Sequence, residues 1–64
     1  MREISQNTNH GLITLTISAA FRPTGWYTWL ICRDGRPYQR AERSFRTEQR
    51  AQRDGIAAMQ RLLE

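Results

Sequence analysis

From Leu12 to Phe21 the chain alternates: Ile13, Leu15, Ile17, Ala19 and Phe21 fall on one side, Thr14, Thr16 and Ser18 on the other. A period of two rich in β-branched residues predicts a half-buried strand. Arg22-Pro23-Thr24-Gly25 interrupts it, and Pro with a fixed φ beside a permissive Gly predicts a hairpin turn. Trp26 to Arg33 follows as a second strand. Its faces, Trp26, Thr28, Leu30, Cys32 and Tyr27, Trp29, Ile31, Arg33, both carry large apolar groups, the pattern of a central strand that needs cover on both sides. Asp34-Gly35 is a tight-turn signal. Pro37 to Arg43 reads as a third strand, more polar, with Pro37 suited to an edge.

After Phe45 the period changes. Thr47 is a candidate N-cap, and Glu48 suits the first helical turn. Ala51, Gly55, Ile56, Met59, Leu62 and Leu63 then recur at helical spacing as one apolar stripe, with Gln49, Arg50, Arg53, Gln60 and Arg61 off it. Gly55 has two readings: close approach of the helix to the sheet over Trp29, or tolerance of a helix-weakening residue. The expected fold is α+β, a three-stranded antiparallel meander packed on one C-terminal helix. Residues 1–11, polar and without a period, read as a flexible lead-in, and residues 12–64 as a single domain.

That architecture covers one sheet face. The other would show Trp26, Thr28, Leu30 and Cys32, beside Thr14 and Thr16, and an uncovered face with such residues predicts an interface. A second copy of the chain is the expected partner, through that face or through an edge of the sheet; a fold-back of the N-terminus is the alternative. The length agrees. A 64-residue chain buries a small share of its surface and usually needs a disulfide, a metal or a partner. Cys32 is the one cysteine and His10 the one histidine, so no intrachain disulfide and no cluster of metal ligands is expected, and self-association is the support left. No apolar run approaches the ~18 residues that cross a membrane, and the polar N-terminus is no secretory signal. The expectation is a cytoplasmic protein without membrane, metal or cofactor.

Enzymatic chemistry finds little to work with. A nucleophile needs a base held by a third group; His10 falls in the lead-in and Cys32 reads as a structural thiol. The six acids are mostly interleaved with Arg, as in surface ion pairs, and no glycine-rich phosphate loop is present. The expectation is a non-enzymatic protein.

The charge points elsewhere. The net charge is +4, and all ten basic residues are Arg, with no Lys. Arg suits bidentate contacts to phosphate and stacks on flat rings, while a GC-rich genome also writes Arg for Lys. Seven Arg lie between Arg33 and Arg53 against three acids. Arg33, Arg36, Arg40, Arg43 and Arg46 surround the second hairpin with Tyr38 among them. Arg can grip phosphate or read guanine, and Tyr38 or Trp26 can stack on an unpaired base. These six residues, Tyr38 included, are the candidate DNA- or RNA-binding set; a solvated edge that resists aggregation is the plainer reading.

Gly25 to Met59 resembles the repeat unit of the YegP-like family of small bacterial domains. That unit has a W-x-W-x-L strand, an Asn-Gly turn, a strand ending in an aromatic, and a helix with a Gly-Ile pair. The counterparts are Tyr27, Trp29 and Ile31, then Asp34-Gly35, Phe45, Ala51 and Gly55-Ile56. Tyr27 stands for the first Trp, and the family's strand after the helix has no counterpart. Two units build one continuous sheet in that family, so the resemblance implies a dimer, and it supplies no catalytic residue. Phe45-x-Thr47 with Ala51 downstream is similar to the junction of plant AP2-type and phage-integrase arm-binding domains. That similarity implies DNA contacts by the sheet face, falling on Arg33, Tyr38 and Arg40, and together the two imply a bacterial or phage setting.

Overall fold

A computed structural model describes residues 2–8 and 11–63. The strands are β1 (Arg2–Thr8), β2 (Gly11–Ala19), β3 (Tyr27–Arg33) and β4 (Arg36–Arg40), followed by one helix, α1 (Glu48–Leu63). The sheet has four strands in the order β1-β2-β3-β4, each antiparallel to its neighbour. This corrects the expected three-stranded meander. The added strand comes from the segment read as a lead-in, which pairs with β2 from Arg2↔Ile17 to Thr8↔Gly11. It extends the edge of the sheet and does not fold over the open face. Its sequence carried no strand signal because Glu3, Ser5, Gln6 and Asn7 are all exposed, and only Ile4 packs against the core. The backbone ladder, not an apolar face, makes this strand.

β2 and β3 form the centre. Ile13, Leu15, Ile17, Trp29 and Ile31 point to the helix side and are buried. Ala51, Ala58 and Met59 close the core from the helix, with Phe45 beside them from the connection before it. Burying each large aliphatic side chain contributes about 1.5–3 kcal/mol, so these inward rows are the main source of cohesion. β2 ends at Ala19, and Phe21, expected on its apolar side, is 88% exposed. The reason is the turn: the Ala20 N–H donates to the Trp26 carbonyl at 2.9 Å, and the chain reverses through a cis Arg22–Pro23 bond and Gly25 at φ +86°. Trp26 consequently sits in the turn, ahead of β3.

At the opposite end of the sheet Asp34 (φ 52°) and Gly35 (φ 82°) make the left-handed pair of a tight hairpin. The Asp34 carboxylate accepts from the Leu12 N–H at 3.0 Å, and the Asp34 N–H donates to the Leu12 carbonyl at 2.8 Å. β4 is exposed along its length, carries Pro37, and pairs with a register shift opposite Ile31 and Cys32. Pro, arginines and an irregular register are ordinary protections for an edge strand. It stops at Arg40, short of the expected Arg43. The chain rejoins the sheet at Phe45, whose N–H and carbonyl both pair with Tyr27 at 2.7 Å. Burial of the Phe45 ring fixes that return.

The helix begins as its sequence predicts. The Arg50 N–H donates to Thr47 Oγ1 at 3.1 Å, an N-cap contact. Ala51, Gly55 and Met59 are buried as the stripe predicts, with Ala58 beside them, and Ile56, Leu62 and Leu63 are partly covered. The structure decides between the readings of Gly55. A Cβ there would stand 2.7 Å from Leu15 Cδ1 and 3.0 Å from Trp29 Cγ, so the absent side chain lets the helix approach the sheet. Asp54, next along the helix, accepts from Trp29 Nε1 at 2.8 Å and satisfies the polar tip of a buried indole.

Candidate nucleic-acid interface

The six residues of the candidate binding set do not form one cluster. Arg33 and Arg36 flank the Asp34-Gly35 turn. Tyr38 and Arg40 lie along β4, and Tyr38 is 52% exposed. Arg36 to Arg40 spans about 13 Å of extended chain, so Arg43 and Arg46 belong to the other end of the sheet, beyond β4.

There they meet residues from two other elements. Pro23 and Trp26 from the β2–β3 turn, Arg43, Ser44, Phe45 and Arg46 from the β4–α1 connection, and Arg50 from the first turns of α1 line one recess of about 450 Å³. The Tyr27–Phe45 pairing brings the connection against the turn, and the Thr47 cap aims the start of the helix at the same place. Ser44 Oγ donates to the Arg22 carbonyl at 3.4 Å, a further tie between the two segments. Three guanidinium groups line the recess and no carboxylate does. Like charges gathered this way raise the local potential and favour an anion.

The rings are placed with them. Arg46 lies over Trp26 at 5.2 Å from the ring centroid, Arg43 over Phe45 at 5.1 Å, and Arg22 over Phe21 at 5.6 Å. All of these pairs fall in the turn and the connection that meet at this end. A guanidinium held over an aromatic ring keeps donors for hydrogen bonds to an anion.

Arg43 also borders a second groove, of about 350 Å³, on the β4 side of the helix. Its lining differs in kind: Arg40, Arg43 and Arg61 are interspersed with Glu42 and Asp54. A third depression, of about 750 Å³, is lined by one face of the helix alone, from Glu48 to Gln60, with both signs of charge and side-chain amides. Neither concentrates charge of one sign, so the recess at Trp26 is the candidate site.

Arg50 escaped the sequence reading, which placed it only off the apolar stripe. Its signal was position: Arg50 lies three residues after the cap Thr47, in the first turn of the helix, close behind Arg46 in the chain. Two of the acids have structural hydrogen bonds. Asp34 is spent on the Leu12 N–H and Asp54 on the Trp29 indole.

Of the candidate interface set, Thr28, Leu30 and Cys32 share the sheet face opposite the helix and are half-buried, while Trp26 lines the recess. The face is less apolar than expected. Strand register sets Glu3, Thr16, Leu30 and Arg40 in one row across it. Cys32 is a free thiol there, and His10 lies outside the described residues. Among the described residues no three of His, Cys, Asp and Glu gather as a metal site requires, and no helix is long and apolar enough to cross a membrane.

No family model, no curated protein and no solved structure matches the chain.

Proposed function

We propose that the protein binds nucleic acid, without catalysing a reaction, through the arginine end of its sheet. The observation that carries this reading is the convergence of Arg43, Arg46 and Arg50 with Trp26 and Phe45 around a recess lined by no carboxylate. Phosphates neutralise the guanidinium groups, and the half-buried Trp26 ring takes a base or sugar. Arg33, Arg36, Tyr38 and Arg40 along the β4 side act as secondary phosphate contacts. The net charge of +4 supports attraction at longer range. A cytoplasmic setting belongs to the same reading, and the lone thiol of Cys32 suits it. The test is fluorescence anisotropy with labelled oligonucleotides across a salt series. Three arginine–phosphate contacts predict a log–log slope of about −2 for single strands and nearly −3 for duplex. No binding at low salt would end the proposal.

A second reading concerns the open sheet face. Glu3 and Arg40 occupy opposite edges of one row, with Thr16 and Leu30 between. A second copy turned by a two-fold axis along the strands would bring each Glu3 over the partner's Arg40. The reading is a homodimer through this face, as the YegP-like resemblance also implies a dimer. It predicts a native mass twice that of the chain, reduced to monomer by Leu30→Glu. A monomeric parent protein would end it.

A further inference from the structure

The arginine end carries its aromatic rings in an unusual state, and this bears on which nucleic acid would bind. Phe21 is 88% exposed, by far the most exposed large apolar residue described. It does not dangle: the segment that carries it is closed by the Ala20 N–H to Trp26 carbonyl bond at 2.9 Å and the Trp26 N–H to Pro23 carbonyl bond at 3.2 Å. The Ser44 hydroxyl holds the Arg22 carbonyl from the neighbouring connection. Phe21 and Trp26 are thus both presented from one hydrogen-bonded turn. Each has an arginine on its ring, Arg22 and Arg46, and Trp26 opens into the recess with Arg43 and Arg50.

Rings and flat guanidinium groups bind bases by their faces. In a duplex those faces are stacked on neighbouring bases, and only the edges are offered in the grooves. Reading edges needs polar side chains on a projecting helix or ribbon. Here the projecting group is the Phe21 ring, and Arg43, Arg46 and Arg50 line the recess that opens at Trp26 on the same turn. An exposed aromatic platform beside a basic channel is the arrangement that takes unpaired strands with little sequence preference. We infer that this end is a single-strand site: one unpaired base stacks on Phe21, another base of the same strand enters the recess against Trp26 and Arg46, and phosphates of that strand lie on Arg43 and Arg50. The inference rests on the proposed nucleic-acid binding and narrows it to unpaired DNA or RNA, whose shared chemistry is a free base face joined to a phosphate.

The test uses the full chain and a short labelled mixed-sequence strand, as DNA and as RNA, beside the duplex of the same sequence. At one salt concentration the better of the two single strands binds about thirtyfold or more tighter than duplex, the contribution expected of two stacked bases. Phe21→Ala weakens single-strand binding about fivefold or more and leaves duplex affinity and the thermal midpoint unchanged. Trp26→Ala has a similar effect, and Trp26→Phe restores most of it. Phe21, being exposed, keeps the test readable where Trp26→Ala fails to fold. The relative strength of the DNA and RNA arms identifies the strand, and a preference of either over duplex supports the site. Equal affinity for duplex and single strands, or an unchanged Phe21→Ala affinity, would overturn the inference while leaving nucleic-acid binding standing. No binding to any of the three would remove the binding proposal itself.

Discussion

The two ends of the sheet are built from the same residue types and behave differently. At the β3–β4 turn, Arg33 and Arg36 flank Asp34-Gly35. The aspartate turns inward on the structure: its carboxylate holds the Leu12 N–H, and Gly11 packs so closely that a Cβ there would stand 2.6 Å from Asp34 Oδ2. At the β2–β3 turn, the arginines of the neighbouring connection find rings, and the recess among them is lined by no acid. One turn is closed by its own polar groups; the other leaves charge and ring faces to solvent. A count of arginines along the chain ranks the first end as highly as the second. What separates them is where the acids and aromatics come to rest.

The largest effect should come from removing the charge at one end and not the other. The Arg43→Ala/Arg46→Ala/Arg50→Ala protein should lose about 2–4 kcal/mol of binding free energy, on the scale of hydrogen bonds to charged groups. Arg33→Ala/Arg36→Ala should lose only a few-fold in affinity. Anisotropy titrations at matched salt compare them, and equal losses would erase the distinction between the ends.

A smaller effect is expected on stability at the closed end. Asp34→Ala removes the acceptor for the Leu12 N–H and puts alanine at φ 52°, a combined cost of about 1–2 kcal/mol in urea denaturation. Its binding curve, measured where the protein remains folded, should match the parent within about twofold, the noise expected when no phosphate contact is lost. A large loss of binding there would place the site at the wrong end.

The smallest effect tests whether the backbones of the two turns differ at all. Gly25 (φ +86°) and Gly35 (φ +82°) both have open space where a Cβ would stand. Gly25→Ala and Gly35→Ala should therefore each cost about 1 kcal/mol, the strain of a left-handed residue. Matching costs would assign the contrast between the ends to side chains, whereas a clear difference would assign part of it to the turns themselves.

Much of this fold was legible before the structure. β2 follows from strict alternation, β3 from its apolar pair of faces, the two turns from Pro and Gly, and the helix from Thr47 and its stripe. β1 was not legible, because one inward residue, Ile4, makes no period. The exposure of Phe21 was not legible either. The alternation placed it on the buried face, but the strand ends at Ala19 before reaching it. At the site, Arg43 and Arg46 were marked in the sequence, while Arg50 and the true company of Trp26 were not. Trp29 and Asp54 stand 25 residues apart, and no local pattern joins an indole on a strand to a carboxylate on a later helix.

The sequence by itself determined that the chain extends after Gly11 and again before Asp34, turns at Pro23 to Gly25 and at Asp34-Gly35, and coils after Thr47, and that it would be basic through arginine alone. Those are local matters: period, φ preference, capping and composition act within a few residues. Only the tertiary structure decided that a polar N-terminal segment adds to the sheet, that Gly55 is a point of contact, and that three arginines and two rings share one recess while the arginines of the other turn stand apart. Pairing and packing join residues far apart in the chain, and electrostatic potential depends on distances in space that only the folded chain sets.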